Sequence, residues 1–166
     1  MTPAEFLDEA ARRLAGAGYA VERVALPGGP AVVGRLKRFR VRWFLTQLKV
    51  TVVVAAVDHV TRTGWERFGA DAFQAAKAFP GGLPTGFQSG VGAVPVLAGV
   101  TVDGDAADAA RAKPSPEWFT GIAMPALVDL TTGQVHHHEG RVMVGAVYVP
   151  FLRAQSALVT DVVARA

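Results

Sequence analysis

Four short segments carry side chains able to do chemistry. The first is His136-His137-His138-Glu139. On a strand His136 and His138 share a face, and two imidazoles joined by Glu139, or by Asp129 or Asp58 brought in from elsewhere, would make a metal site. Two histidines are half a ligand set, however, and polar residues belong beside a turn, so a solvated run that binds metal resin incidentally is the competing account. The second segment, Asp58-His59, ends an apolar run, where catalytic groups of α/β folds often stand. It has no serine or second histidine at readable spacing, so no triad assembles and a capping or turn role is the simpler account.

The third segment is Gly82-Leu83-Pro84-Thr85-Gly86-Phe87-Gln88. Gly82 and Gly86 would let backbone approach a ligand, and Gln88 offers both a donor and an acceptor. The loop lacks the Gly-Lys-Ser/Thr of a phosphate loop and the Gly-x-Gly-x-x-Gly of a dinucleotide site, and a rigid connection explains it equally well. The fourth is the basic run from 35 to 49, with Arg35, Lys37, Arg38, Arg40, Arg42 and Lys49 and no acid. The alternation Arg38-Phe39-Arg40-Val41-Arg42-Trp43 predicts a strand with three arginines on one face and Phe39, Val41 and Trp43 on the core face. Alternate strand residues lie about 6.6 Å apart, near the spacing of two phosphates along a DNA strand, so the arginines could track a polyanion. A solvated face paired with acids from elsewhere is the alternative. The aromatic residues lie on the opposite face and offer bases no stacking platform there.

The elements that must carry these segments follow from periodicity and punctuation. Thr2 and Glu5 form a capping box with Pro3 at the first helical position, Phe6, Ala10 and Leu14 recur at helical spacing, and Gly16 and Gly18 stop the helix. Tyr19 to Leu26 reads as a strand, and Pro27-Gly28-Gly29-Pro30 as a turn. The β region from Ala31 to Val57 is too long for one strand and divides near Leu45 to Gln47; its second part, Leu48 to Val57, suits a strand buried on both faces. Thr63 with Glu66 predicts a second capping box, for a helix presenting Trp65, Phe68, Ala72, Ala76 and Phe79. Val91 to Val102 is a strand in which Pro95 predicts an edge or a bulge. Asp103 to Lys113 is a short helix, Met124 to Leu130 and Gln134 to His138 a hairpin around Gly133, Val142 to Val149 a last strand, and Pro150 opens a terminal helix. The order is α-β-β-β-α-β-α-β-β-β-α, an α+β or mixed α/β fold with a central mixed sheet flanked by helices, forming one globular domain over residues 1–166.

Composition bounds the function. Half of the 166 residues are apolar, enough for a full core. Outside the basic run, eleven basic residues face fourteen acidic ones, so the net charge of +3 is local to the run. The absence of cysteine excludes disulfides, thiolate catalysis and cysteine-held metals. The longest apolar stretch, Trp43 to Val57, is interrupted by Thr46, Gln47, Lys49 and Thr51, so no transmembrane span is expected, and the N-terminus opens a helix rather than a secretion signal; the expected location is cytoplasmic.

Thr46-Gln47-Leu48, the segment Gly82 to Gln88, Val94-Pro95-Val96-Leu97 and Pro125-Ala126-Leu127-Val128-Asp129-Leu130-Thr131-Thr132-Gly133 together resemble an uncharacterised bacterial protein family over residues 36 to 155. That resemblance implies a stand-alone domain and carries no catalytic residue. The leading α-β-β-β-α-β order also resembles the restriction-endonuclease-like core, and Gln47-Leu48-Lys49 is similar to the Gln-x-Lys form of its metal-dependent nuclease motif. The family holds Mg²⁺ with an acid on the preceding strand, and residues 31–47 contain no Asp or Glu. The expected function is therefore binding rather than catalysis, without a cofactor, with a polyanion or an acidic protein surface as partner. A degenerate metal-dependent hydrolase using Lys49 or the histidines, and a homo-oligomerising module pairing through the Pro95 strand, are the alternatives.

Overall fold

The computed structural model describes residues 1–39, 47–78, 89–112, 122–140 and 148–163. Its elements run α1 (Pro3–Gly16), β1 (Ala20–Leu26), β2 (Gly29–Phe39), β3 (Gln47–Val60), α2 (Arg62–Lys77), β4 (Ser89–Val102), α3 (Gly104–Arg111), β5 (Ile122–Ala123), β6 (Ala126–Asp129), β7 (Val135–His137) and α4 (Val149–Thr160). The expected mixed α/β order is the observed one. One member differs: β5 is a two-residue strand ahead of the hairpin, whereas most of the expected strand 142–149 lies outside the described residues and Val149 is already helical. Among the described residues no helix is long and apolar enough to cross a membrane.

The seven strands form one mixed sheet in the order β1-β2-β3-β4-β6-β7, with β5 also on β4. The β1, β2 and β3 strands are an antiparallel meander, β4 runs parallel to β3, β6 parallel to β4, and β7 returns antiparallel. Helices α1 and α4 cover one face and α2 and α3 the other, which makes three layers. Strand β3 explains why both layers are needed. Its even residues Val50, Val52 and Val54 pack under α1 and α4 with Phe6, Leu14 and Leu152, while Val53 and Ala55 pack under α2 with Trp65, Phe68 and Ala72. A strand apolar on both sides is stable only between two helical layers.

Local chemistry sets the ends of these elements. Thr2 and Glu5 close the capping box of α1, and Gly18 takes a positive φ of 86° beyond its end. The hairpin β1–β2 turns at Pro27-Gly28, with Gly29 at φ 128°. The N-cap of α2 is Thr61, whose hydroxyl accepts from the Gly64 amide, and not Thr63. Strand β3 runs three residues further than its apolar stretch, through Val60, so the cap falls directly after it; Glu66 then pairs with Arg62 rather than closing a capping box.

Strand β4 corrects the edge expected from Pro95. It lies between β3 and β6 in the middle of the sheet. Gly92 and Ala93 pair with Ile122 and Ala123, and Val96 to Gly99 with Ala126 to Asp129, so the same register would set Pro95 opposite Pro125, where the ladder breaks between β5 and β6. A residue without an N–H is tolerated there because the ladder on that side is already interrupted between β5 and β6. The apolar strand is covered on both sides and cannot pair with a second chain, so the expected route to oligomers is closed.

Candidate functional site

The β2–β3 register builds a basic ladder. Arg35 stands opposite Thr51 and Lys37 opposite Lys49, all on the face that carries α2. Helix α2 packs chiefly on β3 and β4, so burial rises across the ladder. Lys37 is exposed, Arg35 half-buried, and Lys49 and Thr51 are 9% and 0% exposed. Arg35 donates through Nη1 to Glu22 on β1, while its buried Nε has no acceptor among the described residues. The buried Thr51 Oγ1 also lacks a partner, and Lys49 makes no hydrogen bond or ion pair among the described residues.

Each feature has a cost. Like charges directly opposite on neighbouring strands repel, and a buried donor without an acceptor loses its hydration without replacement. Together these groups present an ammonium, an Nε–H and a hydroxyl to one side of the sheet. The Arg35 Nε and the Thr51 hydroxyl are closed to solvent, so the group that an oxyanion could reach is the Lys49 ammonium. The ladder also bears on the nuclease-like likeness, because the residue opposite Lys49 is a lysine where holding a divalent cation would require a carboxylate.

A second constellation lies at the other end of β3, outside the carboxyl ends of the parallel strands. A cleft of about 400 Å³ is floored by Leu26, Ala55, Val57, Val60, Phe68 and Leu97, with Asp58, His59, Arg67 and Asp71 among its polar lining. His59 is held 2.7 Å from Asp103, at the start of α3. Asp58 and His59 therefore belong to a strand and a cleft wall, and neither caps α2.

The histidine run is organised by Arg111. Its Nη2 donates to His136 Nδ1 at 2.8 Å, and its carbonyl accepts from His138 Nδ1 at 3.1 Å. Burial holds the His136 pKa below the ordinary imidazole value, and the Arg111 charge lowers it further. For Asp129, burial works against ionisation, but the Thr132 amide and hydroxyl and the Thr131 amide outweigh it and hold the carboxyl below its usual value. A guanidinium on His136 occupies the nitrogen and repels a cation there, Glu139 is exposed, and among the described residues no three acidic or histidine side chains converge as a metal set.

Of the other expected binding residues, Arg40, Arg42, Gly82, Gly86 and Gln88 lie outside the described residues. Arg38 is the penultimate residue of β2, in register with Leu48. The ladder of Arg35, Lys37, Lys49 and Thr51 was not singled out by sequence reasoning; the signal is present as alternate polar residues on two successive strands, but it becomes a site only when the register aligns them. No family model matches the chain, and no curated protein or solved structure matches it significantly.

Proposed function

We propose that this is a non-catalytic binding protein, acting in the cytoplasm, whose β2–β3 face takes a polyanion. The observation that carries the reading is Lys49, a largely buried side chain whose ammonium has no partner among the described residues, set opposite Lys37. The exposed end of the ladder draws phosphate or sulfate groups by long-range attraction. Lys49, at the covered end, then supplies a charge-assisted hydrogen bond to one oxyanion.

Salt dependence tests this. Binding to duplex DNA, measured by fluorescence anisotropy across a range of salt, should give a log–log slope near −2.7 if the three ladder cations each neutralise one phosphate. Heparin, with sulfates in place of phosphates, should show the same steepness. A flat salt response, or binding confined to acidic proteins, would overturn the reading.

A further inference from the structure

The cleft at the carboxyl ends of β3 and β4 has no part in polyanion binding, and its charges differ from those of the ladder. Helix α2 offers an internal comparison. Arg62 and Glu66, four residues apart, close an ion pair at 3.0 Å. Arg67 and Asp71 repeat the same order and spacing one turn further on, yet they make no ion pair with each other or with any other described residue. Opposite charges at this spacing normally lie within reach of each other. Both line the cleft, with Phe68 between them in sequence, above the apolar floor of Leu26, Val57 and Leu97. Asp71 is half-buried, so leaving it open forgoes more than an exposed pair would.

From this open pair we infer a small-molecule site for a zwitterion with an apolar body: an α-amino acid whose carboxylate meets the Arg67 guanidinium, whose ammonium meets the Asp71 carboxylate, and whose aliphatic or aromatic side chain covers the floor. The cleft volume of about 400 Å³ lies in the range of small-ligand sites, and few polar groups over an apolar lining is their usual composition. The position outside the carboxyl ends of parallel strands is where open α/β sheets bind ligands. Asp58 adds a second carboxylate to the lining and biases the site toward the ammonium end. The His59–Asp103 contact at 2.7 Å ties the β3 end to the start of α3 and fixes that wall.

The experiment is an amide-resolved NMR titration of the full chain with L-leucine, 3-methylbutylamine and 4-methylpentanoate. Leucine should give saturable shifts confined to residues 26–28, 57–60 and 64–71. Each singly charged analogue should bind roughly ten-fold to a hundred-fold more weakly, the worth of one charge-assisted hydrogen bond. Arg67→Ala should weaken leucine by a similar factor and leave the amine unchanged; Asp71→Asn should weaken leucine and leave the acid unchanged. Arg67 is exposed and Asp71 half-buried on the helix surface, so both variants should keep the wild-type spectrum elsewhere. Absence of saturable shifts with leucine, equal affinity for all three compounds, or variants that bind leucine as the parent does would each overturn the inference.

Discussion

Replacing Lys49 by methionine separates a residue that binds from one that holds the fold. Methionine has nearly the same length and fills the same slot without the charge. Lys49 is 9% exposed and stands directly opposite Lys37. Two like charges about 6 Å apart at an effective dielectric near 20 repel by roughly 2.8 kcal/mol. Lys37 is exposed, and solvent and salt reduce that repulsion to about 1 kcal/mol. Lys49→Met should therefore stabilise the protein by about 1 kcal/mol, a rise in Tm of roughly 2–4 °C for a chain of this size. The same variant should lose one phosphate contact, so the salt slope for duplex DNA should become shallower by about 0.9. Calorimetry and the anisotropy titration read the two effects on one sample. A variant destabilised by more than about 1 kcal/mol with its DNA affinity intact would show that the ammonium supports the fold, and the reasoning from an uncompensated charge would be wrong.

Two further predictions concern the frame that carries these sites. A methyl group at Gly99 would sit 2.7 Å from Val60 Cγ2 and 2.8 Å from the Thr101 carbonyl, so Gly99→Ala should cost about 2–3 kcal/mol in urea unfolding, because the obstructing carbonyl is backbone; an unchanged midpoint would refute the packing. The folded state holds His136 below its unfolded pKa, first by burial and then by Arg111, so the unfolded chain binds the extra proton as pH falls through about 6.5. Stability should be full above the unfolded value, decline as pH falls through it toward the lower folded value, and then level off; His136→Gln should flatten that segment of the urea midpoint against pH, and an identical profile would remove His136 as the cause.

How much of this was legible in the sequence depends on how far each determinant reaches along the chain. The Thr2–Glu5 cap, the Pro27-Gly28 turn and the Gly133 turn are decided by residues within a few positions, and the structure keeps all three. The two buried faces of β3 were legible because an unbroken valine and alanine run has no polar side to turn outward. Pro95 was not legible, because a proline inside a sheet is judged by its neighbour, and Pro125 comes from a distant segment. The basic ladder belongs with Pro95. Slipping β2 against β3 by one residue would set Lys49 opposite Leu36 or Arg38 and pass the Arg35–Thr51 pairing to other residues. The apolar pairs Ala31–Ala55 and Val33–Val53 hold the register, since slipping would drive their side chains out of the core under α2. The cationic pair is thus imposed by the packing of the far end of the same two strands. The Lys49 charge, which the core forces into place and which no described side chain neutralises, is where a ligand contributes most to stability, and that is the ladder's claim to function.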